Sequence, residues 1–91
     1  MEDYVIIDQL EELAKGFGIQ FRYEPISFEE ETINSLGGLC ILRGEHLLII
    51  NSKATEKEKI KVFVQALRNF GLNQIYVKPA IRALLEGRDS L

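Results

Sequence analysis

Tryptophan is absent from this sequence, and cysteine, histidine and methionine occur once each. A single cysteine cannot close an internal disulfide, which excludes a cross-linked secreted scaffold. One cysteine and one histidine cannot furnish a zinc centre of the usual nitrogen-and-sulfur type. Proline occurs twice and glycine seven times. Neither gathers into a linker, and no repeat or low-complexity tract is visible. No apolar run exceeds four residues, as in Leu47-Leu48-Ile49-Ile50. A membrane-spanning helix needs about 20, so none is expected. The opening Met1-Glu2-Asp3 is acidic where a signal peptide is basic. The expectation is a cytoplasmic protein with Cys40 reduced.

What remains is an ordinary globular composition, 46% apolar and 27% charged. At 91 residues it predicts a single domain spanning 1–91. The net charge of −3 does not favour nucleic-acid binding, which calls for clustered Lys and Arg. That mean conceals a division. Residues 1–31 carry a balance of −7, and residues 32–91 a balance of +4. Two such halves can pack together within one fold, or pair head to tail with a second copy.

Hydrophobic spacing sets out the elements. Ile6, Leu10, Leu13, Ala14 and Phe17 form a helical stripe that Gly16 and Gly18 bring to an end. Ile19 to Glu24 alternates as a half-buried strand stopped by Pro25. Residues 26–36 read as a loop, a helical turn or an edge strand. Gly37-Gly38 then opens a hairpin, 38–51, with Arg43-Gly44-Glu45 as its turn. Its second strand, His46 to Asn51, is apolar on both faces. Such a strand implies a sheet covered on both sides, with a helix layer on one face and a dimer contact as one candidate for the other. Thr55-Glu56-Lys57-Glu58 is a capping box opening a helix over 56–70, and Gly71 stands where its C-terminal cap belongs. Gln74 to Val77 reads as a short extended piece. Pro79 starts a short C-terminal helix over 79–86, followed by a frayed tail. The expected fold is therefore α+β and two-layered, with a three-stranded, mostly antiparallel sheet.

Few constellations carry chemistry. Cys40 and His46 flank the hairpin turn. A three-residue turn with a glycine bulge would set them opposite each other, as a thiolate beside an imidazole. A two-residue Arg43-Gly44 turn would set Cys40 against Leu47 and send the pair to opposite faces. Glu29-Glu30-Glu31 cannot converge on one cation from a strand or a helix, and reads as a solvated run. Lys57, Lys61 and Arg68 fall along one face of the 56–70 helix, where they could meet phosphates or an acidic partner. Gly37-Gly38 is too short to cradle a phosphate, and no cofactor motif follows. Ser35, Ser52 and Thr55 lack a neighbouring base.

Residues 36–70 combine a glycine-led strand, a tight turn, a strand ending Ile49-Ile50-Asn51, a polar loop and an amphipathic helix. This resembles the small core of the ImmA/IrrE-type zinc peptidases. In that family the helix carries H-E-x-x-H, which supplies metal ligands and the general base. Here Gln65 and Asn69 stand at the histidine positions and Ala66 at the glutamate. The resemblance implies a zincin-like minidomain without its metal site. The chain is also similar to a small uncharacterised bacterial protein family, through Gly37 to Gly44, Asn51, Glu56 to Lys59 and Pro79 to Arg82.

These readings lead to a non-enzymatic domain that binds no cofactor or metal and works by association. The partner is a protein, and a homodimer is one form of it. Low on catalytic groups, the chain offers Cys40, His46, Leu48, Ile50, Lys57, Lys61 and Arg68 as contact candidates. The rival readings are a degenerate metallopeptidase relative, or a thiol enzyme built on Cys40.

Overall fold

The computed structural model describes residues 2–26, 36–71 and 76–87. The acidic run 29–31, Ser35, the first half of the piece 74–77 and the tail from 88 lie outside them. The elements are α1 (Asp3–Gly16), β1 (Gln20–Glu24), β2 (Gly37–Leu42), β3 (Glu45–Asn51), α2 (Glu56–Leu67) and α3 (Pro79–Leu85). This is the expected α+β arrangement.

The sheet is mixed. Its order is β1-β3-β2. β2 and β3 pair antiparallel, and β1 and β3 pair parallel. An antiparallel majority was expected, but only one of the two pairings has that sense. The reason is topological. β1 ends where β2 begins, so those two strands run in opposite senses without touching. β3 returns from the hairpin and enters the gap between them, parallel to β1. Its apolar residues on both faces suit that central place.

α1 buries Ile7, Leu10 and Ala14. It closes in a Schellman motif: Ile19 N–H donates to the Ala14 carbonyl and Gly18 N–H to that of Lys15, both at 3.0 Å. Gly18 supplies the left-handed residue this needs, at φ 77°. α2 opens with the expected capping box. Glu58 N–H donates to Thr55 Oγ1 at 3.1 Å, and Thr55 N–H to Glu58 Oε1 at 2.9 Å. Its far end differs from the expectation. Regular helix stops at Leu67, and tight turns carry the chain through Phe70. Asn69 Nδ2 donates to the carbonyls of Gln65 and Ala66, both at 3.3 Å. With those last carbonyls satisfied, no left-handed glycine is required, and Gly71 does not take that conformation.

The helices cover one face of the sheet. Strand register places Phe21, Tyr23, Leu39, Ile41, His46, Leu48 and Ile50 on that side. Leu48, Ile50, Leu10, Ile60, Phe63 and Leu67 form the fully buried centre. Phe21 meets Phe63 edge to face at 5.7 Å. The opposite, outer face carries Gln20, Arg22, Glu24, Cys40, Leu42, Leu47 and Ile49.

Asn51 fastens the end of the sheet. Its N–H donates to the Leu36 carbonyl at 2.9 Å. Its Oδ1 accepts from Lys53 N–H at 3.0 Å and from Ile26 N–H at 3.4 Å. One residue, through its backbone N–H and its side-chain oxygen, thus joins the exit of β1, the entry of β2 and the turn into α2. No helix among the described residues is long and apolar enough to cross a membrane.

Candidate functional site

The hairpin register decides the first candidate. Leu42 pairs with Glu45, Ile41 with His46 and Cys40 with Leu47. The turn is therefore the two-residue Arg43-Gly44 alternative. Both take positive φ, 53° and 81°, as a type I′ turn requires. Cys40 points to the outer face and is exposed. His46 points to the helix face, half-buried, with its ring 5.0 Å from that of Phe70. No thiolate–imidazole pair can form across a strand.

The basic row on α2 also separates. Lys57 Nζ lies 3.5 Å from Asp3 Oδ2, an ion pair between the acidic and basic halves of the sequence. Arg68 Nε donates to the Leu85 carbonyl at 2.8 Å and Nη2 to that of Leu84 at 3.4 Å. Arg68 therefore serves the C-terminus of α3, whose unpaired carbonyls attract a cation. Lys61 stays on the exposed surface. Three residues that share a face in projection do not make one anion site.

Gln65 and Asn69 line a cavity of about 250 Å³ between α2 and β2, together with Gly37, Leu39, Val62 and Ala66. Its walls are amides, backbone and aliphatic groups, with no carboxylate, thiol or imidazole among these residues. Such a set offers a divalent transition metal no soft or anionic donor. Among the described residues, no group of three or more His, Cys, Asp or Glu is placed to hold a metal ion.

Leu48 and Ile50 require a correction as contact candidates. Both are 0% exposed and sit beneath the helices of their own chain. The apolar residues of the strand's other face are Leu47 and Ile49, and neither Leu48 nor Ile50 offers a surface.

Two features escaped the sequence reading. Tyr23 Oη donates to Glu11 Oε2 at 2.5 Å, tying β1 to α1. Burial, then the bond to Glu11, then the charges of Glu11 and Asp8 hold this phenol well above its ordinary range. It is a donor at any physiological pH and cannot act as a base. Lys59 Nζ lies 5.5 Å from the ring centre. Helix and strand are far apart in sequence, and no local pattern signals the contact.

The second feature is the edge of the sheet. Asn51 N–H bonds the Leu36 carbonyl. That bond sets the phase of the β2–β3 ladder: residues 36, 38, 40 and 42 turn their backbone groups to β3. Leu39 and Ile41 turn theirs outward. β2 contains no charged residue and no proline. Ile41 is 69% exposed and Leu42 55%. β1, the opposite edge, carries Arg22 and Glu24, paired at 3.7 Å, and ends at Pro25. Charges and proline are the usual means of blunting a strand edge; β1 has them and β2 does not. The missing charge was readable in Leu39-Cys40-Ile41-Leu42, but the exposed edge followed only from the strand order.

No family model, curated protein or solved structure matches this chain.

Proposed function

We propose that this chain is a non-enzymatic association domain whose partner is a protein, in the first instance a second copy of itself. The observation that carries the reading is the bare edge of β2. Strand amides left unpaired among the described residues, beside exposed Ile41 and Leu42, are a template for another chain. The separation of Cys40 from His46 takes away the geometry a thiol enzyme would need. The degenerate peptidase reading contributes a framework at Gln65 and Asn69 but no catalytic group. The proposed setting is reducing and cytoplasmic, where exposed Cys40 stays a thiol.

The test is the mass in solution. Size-exclusion chromatography with light scattering, from tens to hundreds of micromolar, is expected to show a concentration-dependent dimer. Since β2 carries no charge, the dimer is expected to persist in high salt. A monomer throughout that range, whatever the salt, removes the self-association reading.

A further inference from the structure

We infer that two copies join through their β2 edges, antiparallel, about a two-fold axis passing beside Cys40. The inference rests on the self-association reading and adds the surface, the register and the residues that meet.

Hydrogen bonding selects the register. Leu39 and Ile41 direct their N–H and C=O groups to the free edge, while Cys40 bonds inward to β3. With the axis at Cys40, Leu39 of one copy faces Ile41 of the other, and the reverse. Each such pair exchanges both of its bonds, so every outward group of these two residues is matched. An axis at Leu39 would instead pair Ile41 with Gly37. Gly37 has φ 133°, and a Cβ there would collide with the Ile49 carbonyl. Its backbone departs from the regular ladder and is a poor partner.

The side chains agree with the same register. Leu42, on the outer face, would lie opposite Gly38 of the second copy, which has no side chain. Gly38, Cys40 and Ile49 there line a cavity of about 280 Å³. Ile41, on the helix face, would lie against Leu39 of the second copy, at the mouth of the cavity formed with Val62 and Ala66. Of the two exposed apolar side chains of the edge, Leu42 meets a mainly apolar recess and Ile41 meets one of aliphatic groups and amides. In this register Arg43 of one copy falls against Gly37 of the other, so self-pairing sets no like charges directly opposite. A two-fold interface requires this self-complementarity. The product is a continuous sheet in the order β1-β3-β2-β2-β3-β1.

Cys40 reports on the arrangement. At the axis it would face its own symmetry mate in a non-hydrogen-bonded pair. Cα atoms in such pairs lie about 4.5 Å apart, within the span a disulfide bridges. The experiment combines mild thiol oxidation with light scattering on the full chain. Expected are a dimer, and Cys40 cross-linking at least about tenfold faster than a control thiol placed by Lys61→Cys in a Cys40→Ser background. Ile41→Pro removes an outward donor without taking a bond from β3, so it should give a folded monomer by light scattering and circular dichroism. Ile41→Lys, at an exposed position, should do the same and stands in if the proline variant does not fold. A dimer that survives Ile41→Lys, or that cross-links no faster than the control, overturns edge pairing while leaving self-association intact. A wild-type monomer at hundreds of micromolar overturns both.

Discussion

The hydroxyl of Tyr23 and the carboxylate of Glu11 join the edge strand to the first helix across 2.5 Å. The bond links two consecutive elements, between residues 12 positions apart. It holds β1 under α1, where Phe21 can reach Phe63.

Removing that hydroxyl gives the first prediction. Tyr23→Phe should cost about 0.5–1 kcal/mol at pH 8, since the bond is partly solvated. The contribution is pH-dependent. The folded state holds the phenol protonated above its ordinary range, chiefly through burial and then through Glu11. The unfolded chain ionises first, near pH 10. The benefit is therefore complete below about pH 10 and declines as pH rises further. Urea midpoints of wild type and variant should converge between pH 8 and 11. A gap that widens instead would contradict the assignment.

Gly37→Ala should be among the most damaging small changes. Its φ of 133° and the collision with the Ile49 carbonyl leave no room for a methyl group. A loss of roughly 2–4 kcal/mol is expected, read from urea unfolding.

Arg43→Asn should act in the opposite sense. Arg43 sits at φ 53°, a region that asparagine tolerates better than arginine. Asn-Gly is the preferred pair for this turn. A gain of about 0.5–1 kcal/mol is expected in thermal or urea unfolding, with the β2 edge unaltered.

Arg68→Met keeps the aliphatic stem and removes the donors to Leu84 and Leu85. About 1 kcal/mol should be lost. The loss should be local, appearing as faster amide exchange across 79–85 while β3 keeps its protection. Uniform acceleration through the whole chain would mean that Arg68 supports the core as well as α3.

Local rules account for what the sequence reveals. The start of α2 is legible because Thr55 and Glu58 carry a complete capping signal within four residues. The β2–β3 hairpin is legible for the same reason, but its register is not. Arg43-Gly44 and a three-residue bulge both suit the pattern, and the left-handed Arg43 that separates them is an uncommon choice. The parallel placement of β1 depends on β3 entering between β1 and β2, which no periodicity encodes. Leu48 and Ile50 misled for a related reason. A strand apolar on both faces does not reveal which of its two sets of side chains lies under the chain's own helices. The candidate interface lay in plain view as four uncharged residues, yet its meaning came from their position at an edge.

The contrast between the two edges bears on how far such a chain can assemble. β1 carries Arg22 and Glu24, is followed by Pro25 and is blunted against a further strand, whereas under the proposed pairing β2 would accept one. A sheet with a single receptive side has valence one. Were β2 occupied as proposed, growth would terminate, and the same exposed strand that could seed a fibre in a two-sided sheet would close at a pair.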